Sequence, residues 1–317
     1  MEVNAHTNNM VLGAITVAKK AASLLGFLIG VLFWTSASAD AYLSKTQPSP
    51  QDIWIDISGE ITQRDLAFFR SHSKDFELKR LWVWLNSPGG DVAAAMEIGR
   101  IIRSVDGITH IPVNYRCYSS CALIFIAGIW RENGGKLGLH RPYFASAPPS
   151  REQIEKQAAI MRDTVKTYVE EMGITDNFFE RIYNTDSSKI EILRGDQSQK
   201  IVPARDPVHD EIDTAEKAEG YGLTTSEYRK RDLLSDSSCP ISFEHPRVKP
   251  TWYDCVQSIM WGISPEDYRS RSAKVKTSCG YSKSEAQLFY TTPQKDRRSL
   301  PFVTKHIACV VDIMSGK

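Results

Sequence analysis

The sequence predicts an α/β fold built on parallel strands, followed by a small cysteine-containing segment. Three observations carry this reading. Leu81-Trp-Val-Trp-Leu85 is apolar on both faces, the pattern of a strand covered on both sides of a sheet. It stops at Asn86-Ser-Pro-Gly-Gly-Asp91, and Val92, Met96, Gly99, Ile102 and Val105 then recur at three- and four-residue spacing as one helical stripe. Ile108 to Tyr115 returns as a strand, and strand–helix–strand units of this length predict parallel pairing with right-handed crossovers.

The remaining elements follow in order. Ile53-Trp-Ile-Asp-Ile57 alternates as a first strand that Gly59 ends, and Thr62 caps a short helix through Phe69. Cys117-Tyr-Ser-Ser-Cys121 leads into the apolar stretch Ala122–Gly128, and Lys136-Leu-Gly-Leu-His140 reads as a short strand ended by Arg141-Pro142. Residues 151–172 form a long amphipathic helix and 176–184 a shorter one. The polar residues 195–211, with two prolines, read as a surface insertion that covers a site or decorates the surface. From about residue 238 the texture changes to cysteines and aromatics without a long helical stripe, the mark of a small disulfide-supported module.

At 317 residues the chain can bury one sizeable core and still carry a second module. The net charge is +1, and beyond residue 39 acidic and basic residues balance; with no long basic run, nucleic acid is excluded as the main partner. Lys19-Lys20, the apolar run Ala21–Trp34 and the small residues Ser36-Ala-Ser-Ala39 are the three parts of a cleaved secretory signal. An uncleaved membrane anchor is the alternative, but the run is shorter than the roughly 20 residues a spanning helix needs; a buried core helix is the third reading. The expected location is therefore periplasmic or secreted. Six cysteines in an exported chain read as disulfides, and four of them cluster after residue 238, which favours bridges within that segment. No C-x-x-C or H-x-x-x-H pair supports zinc, and neither a metal nor another cofactor is expected.

Ser119 and Ser120 stand where a strand runs into a helix. A serine there can expose its hydroxyl beside helix amides that lack intrahelical partners, and those amides stabilise an oxyanion. The plain alternative is that they cap the helix. Gly89 and Gly90 leave backbone amides uncovered for close approach of a substrate, whereas Asp91 reads as a helix N-cap.

Three segments in this order, Leu85-Asn-Ser-Pro-Gly-Gly-Asp-Val92, Cys117–Gly128 and Lys136-Leu-Gly-Leu-His-Arg-Pro142, with a weaker fourth at Thr214–Leu223, resemble the crotonase-like superfamily. They are most similar to its Clp-protease and signal-peptide-peptidase branches, and in particular to uncharacterised exported members. The resemblance implies a crotonase/Clp-like spiral of repeated β-β-α units over residues 53–225. Residues 1–39 are then the signal peptide, 40–52 a linker, and 226–317 the small Cys-containing C-terminal segment. It places the nucleophile on Ser119 rather than Ser120, the general base on His140, and oxyanion donors on the amides of Gly89 or Gly90 and of Ser120. Asp186 is the carboxylate nearest the expected third position, where a turn or cap role competes; a Ser–His pair oriented by a backbone carbonyl is the other option. Departures from the family are the cysteines flanking Ser119, whose use as a thiol nucleophile is a poor alternative in an oxidising compartment, and the 195–211 insertion.

The implied function is a serine hydrolase of the cell envelope, an endopeptidase acting on protein or peptide substrates, and a homo-oligomer. A non-catalytic exported binding protein on the same fold is the alternative, and acyl-CoA chemistry is disfavoured by the leader. Expressed with its leader, the exported protein should begin at Asp40. An intact mass that still includes residues 1–39 would assign that segment to the membrane anchor.

Overall fold

A computed structural model describes residues 40–44, 49–144, 150–239 and 250–316; the leader lies outside the described residues. The α/β part runs β1 (Asp40–Leu43), β2 (Asp52–Ile61), α1 (Gln63–Ser71), α2 (Ser73–Leu78), β3 (Arg80–Gly90), α3 (Val92–Ser104), β4 (Ile108–Ile111), β5 (Arg116–Tyr118), α4 (Ser120–Ala127), β6 (Trp130–Asn133), β7 (Lys136–Leu139), α5 (Arg151–Glu171), α6 (Asp176–Asn184) and β8 (Glu191–Leu193). Helices α7 (Gly195–Gln199), α8 (Pro207–Gly220), α9 (Thr225–Ser238), α10 (Pro250–Trp261), α11 (Pro265–Ser278), α12 (Lys283–Thr291), α13 (Gln294–Arg297) and α14 (Pro301–Ser315) follow.

The sheet is mostly parallel and it branches. β2 and β3 pair in parallel from Asp52↔Arg80 to Ile61↔Gly90. The first half of β3 then pairs with β4, which pairs with β6, whereas Ser87 near its end pairs with Cys117 of β5. β5 continues to β7 in parallel, and β1 and β8 close the two ends antiparallel. The architecture is thus mixed α/β with a mostly parallel sheet.

Its core is the alternating set Ile53, Ile55 and Ile57 with Leu81, Val83 and Leu85, packed with Ala94, Ile98 and Ile102 of α3. Every side chain of α4 is buried, as expected of a helix that is apolar all round. Thr62 and Asp65 form a reciprocal capping box on α1, and Asp91 caps α3 by accepting from Ala94 N–H at 2.9 Å. The Tyr168 hydroxyl donates to Leu123 O at 2.9 Å and fastens α5 to α4.

Several expectations are corrected. Leu81–Leu85 is fully buried on one face only. Trp82 and Trp84 are half-buried on the other, among Trp54 and Trp130, with ring centroids 5.2–6.4 Å apart for the contacting pairs. Tryptophan can bury much of its ring while keeping an edge at the surface. β2 does not end at Gly59 but passes through it as a bulge with φ 95°. The linker assigned to 40–52 opens on strand β1. The strand expected over 108–115 stops at Ile111, because Pro112 has no N–H to donate and Asn114 takes φ 69°. The 195–211 segment is neither loop nor ornament: it contains α7, buries Ile201 and Val202, and is fixed to β6 through Arg131 N–H to Ala204 O at 2.7 Å.

All described residues belong to one compact unit. The C-terminal segment is helical and rests on the α/β part, with Arg298 donating to Glu216 O at 3.0 Å. The signals for its helices are local. Ser264-Pro-Glu-Asp267 and Ser282-Lys-Ser-Glu285 are N-cap sequences, and both cap in the structure. Cys239–Cys255 and Cys279–Cys309 are bridged within it, as the clustering predicts. Among the described residues no helix is long and apolar enough to cross a membrane.

One buried polar cluster joins α3, β6 and α8. The Asp206 carboxylate faces Arg103 at 3.1 Å, His209 Nδ1 at 3.0 Å and the fully buried Arg131 guanidinium at 3.6 Å. Burial alone would raise the Asp206 pKa, but the His209 bonds and the two guanidinium groups outweigh it and bring it down to about 2. A carboxylate with a depressed folded-state pKa contributes stability that is complete above its unfolded value, here 3.8, and is lost as pH falls through about 2. The melting temperature should therefore drop across that window. Asp206→Asn should melt lower at pH 7 and decline less steeply below pH 4; an unchanged acid decline would place the sensitivity elsewhere.

Candidate active site

The fork at β3 brings two strand ends together. Ser87, Cys117, Leu137 and Leu193 stand in one row across β3, β5, β7 and β8, followed by the row Tyr118, Gly138 and Ile192. Ser119 leaves β5 one residue beyond that second row, and His140 leaves β7 two residues beyond it. Both emerge at the carboxyl ends of adjacent parallel strands, where open α/β sheets bind ligands.

Ser119 has φ 56° and ψ −128°, outside the regions open to L residues. The backbone turns from strand to helix within this one residue. Its N–H donates to Gly138 O at 2.9 Å, and its carbonyl accepts from Ala122 N–H at 2.9 Å. The side chain makes no capping bond, so the plain capping role is not what this serine does. Ser120 is 2% exposed, and its hydroxyl is buried without a hydrogen-bond partner among the described residues. Of the two serines, Ser119 is the one that is partly exposed.

The two-glycine turn lies against it. A Cβ on Gly89, which has φ 108°, would fall 2.6 Å from Ser119 Cβ and 3.2 Å from its Oγ. Only glycine allows that approach. The Gly89 N–H is engaged by Ser87 Oγ at 3.0 Å. At Gly90 the ladder to β2 runs through Asp91 N–H to Ile61 O at 2.9 Å, so by the alternation of a parallel ladder the Gly90 N–H turns away from β2. Of the two glycine amides, that of Gly89 is thus engaged, whereas that of Gly90 points away from β2. Sequence reasoning missed Ser87 as a support. Its fully buried hydroxyl donates to Gly59 O at 2.5 Å and holds the turn to the bulge of β2; a serine two residues before a glycine is the usual signal for such a turn.

His140 is 8% exposed, with the Tyr143 ring stacked 6.2 Å away. Burial holds its pKa below the ordinary histidine value of 6.5, which disfavours the charged form of the imidazole. Its Nδ1 is buried without a hydrogen-bond partner among the described residues. Asp186 does not supply one. Its carboxylate accepts from Arg141 at 2.5 Å and from the Ser188 N–H and hydroxyl at 2.9 and 2.7 Å, and these bonds lower its pKa. The turn role, left open by the sequence, is the one its contacts show. Cys117 and Cys121 are bridged across Ser119, so neither offers a thiol. Among the described residues no group of three or more His, Cys, Asp or Glu could hold a metal.

No family model and no curated protein matches the chain. Among solved structures, a mutant of ClpP1 from Listeria monocytogenes is similar, 18% identical over 47% of this chain and 86% of that chain, with a TM-score of 0.38. That likeness concerns the fold alone.

Gly89→Ala should cost about 1–3 kcal/mol in urea unfolding, because a side chain would be forced into a left-handed backbone and onto Ser119. Gly220→Ala, whose Cβ would meet nothing within 4 Å, should be neutral or slightly stabilising. Equal effects at the two positions would contradict the close approach.

Proposed function

We propose that this protein is a serine hydrolase of the cell envelope, cleaving peptide or protein substrates as a homo-oligomer. The observation that carries the reading is Ser119: a non-glycine residue held at a sharp strand-to-helix turn, without a capping bond, against a glycine turn. Such strain persists where the surroundings over-determine it, and it concentrates at functional sites. The peptidase class comes from the resemblance of the three ordered motifs.

In this reading neutral His140 takes the hydroxyl proton as Ser119 Oγ attacks the carbonyl carbon. The amides of Gly90 and Ser120 receive the oxyanion, strengthened by a helix dipole in a fully buried setting. The protonated imidazole gives its proton to the leaving amine, and a water activated by the same base releases the acyl group. No cofactor takes part.

A second reading, a non-catalytic binding protein, is favoured by one observation. His140 Nδ1 has no hydrogen-bond partner among the described residues, and Asp186 is engaged by Arg141.

A fluorophosphonate probe separates the two. Wild type and Ser120→Ala should label, while Ser119→Ala and His140→Ala should not; folded wild type that stays unlabelled would support the binding protein. Because burial depresses the His140 pKa, the base form should appear as pH rises through a midpoint below 6.5, with labelling flat above it. A midpoint above that value would remove His140 from the role of buried base.

A further inference from the structure

We propose that the Cys117–Cys121 disulfide is a positioning device for Ser119, and that the site is complete only in the oxidised chain; this rests on the hydrolase reading. The bridge joins a β5 residue to the first turn of α4, and the strained serine lies between its ends. Both cysteines are fully buried.

Three observations favour a local role over general stabilisation. Disulfide stabilisation through the unfolded chain grows with the length of loop closed. This bridge closes the shortest of the three, four residues apart against 16 and 30. Among the described non-glycine residues with positive φ, Asp106 and Asn114 belong to types that tolerate it, and Ser119 does not. Finally, two backbone bonds hold Ser119 at its turn among the described residues, one to Gly138 and one from Ala122. Relaxing its backbone toward strand or helix would move the start of α4 relative to β5, and the bridge forbids that movement.

Forming the bridge removes two protons and two electrons from the thiols. An external protein or small-molecule disulfide accepts them and leaves as two thiols. Since both sulfurs are sealed in the folded core, this exchange belongs to folding. A chain folded under reducing conditions would keep the sheet and core but hold Ser119 less firmly.

The test compares the full protein with Cys117→Ala/Cys121→Ala and Cys279→Ala/Cys309→Ala, all folded under oxidising conditions. Fluorophosphonate rate constant, labelled fraction at the endpoint, pH profile and melting temperature are read for each. For the first pair the rate constant should fall about tenfold or more, since displacement of a reacting atom is costly. Its labelled fraction and the acid limb of its pH profile should stay in place. The second pair should melt lower but keep the wild-type rate constant. A first pair as fast as wild type, or one that loses only labelled fraction or melting temperature, overturns the proposal and leaves a structural bridge. Should the alanine pair lose its melting transition, Cys117→Val/Cys121→Ala, which restores buried volume, is judged by the same criteria. Failure of the hydrolase reading looks different: the oxidised wild type itself would not label, and both ideas would fall together.

Discussion

A sheet that divides at one strand governs this fold. β3 pairs with β4 along its first half and with β5 at its end, and each branch continues, to β6 and to β7. The division occurs at Ser87, whose hydroxyl donates to the bulge at Gly59 and accepts from Gly89. Polar groups so deeply buried are in most cases hydrogen-bonded. Here the partners are the backbone of β2 on one side and the glycine turn on the other. One hydroxyl thereby ties the Gly59 bulge of β2 to the glycine pair that ends β3. The strand ends bearing Ser119 and His140 take their places from that fork.

The surroundings of α4 show a related asymmetry. Late carbonyls of this buried helix are served by side chains: Tyr168 to Leu123 O, Thr109 to Phe125 O at 2.7 Å, and Arg131 to Ile126 O at 2.9 Å. The first amides, at Ser120 and Cys121, receive no comparable acceptor among the described residues. A helix terminus closed at its negative end and open at its positive one favours an anionic group at the open end.

How much was legible follows the range of the signal. Leu81–Leu85 and the stripe of α3 are written in local periodicity, and the structure contains both, although β3 runs on through Ser87-Pro-Gly-Gly90, where the sequence reads as a turn. Ser119 was distinguishable from Ser120 only by counting along a motif; burial separates them physically. β5 and β6, of three and four residues, were not legible, because so short a run carries no periodic pattern and its pairing is with distant strands. The half-open face of β3 was misread because tryptophan is apolar by composition yet tolerates partial exposure. Asp186 shows the limit most clearly. Its place in the sequence suggested the histidine, but Arg141, 45 residues earlier in the chain, reaches its carboxylate first.

The C-terminal helices have a consequence for how this chain is made. Arg297 of α13 donates to Leu78 O, the last residue of α2, across 219 positions at 2.6 Å. During vectorial synthesis α2 emerges early, yet a carbonyl at its end must wait on solvent until the far helices arrive. Closure between such distant partners is slow, because loop entropy is lost before the contact forms. The nascent protein therefore passes through a stage in which its sheet can assemble while the flank near α2 stays uncovered, and that interval is when helper proteins or proteases would find it.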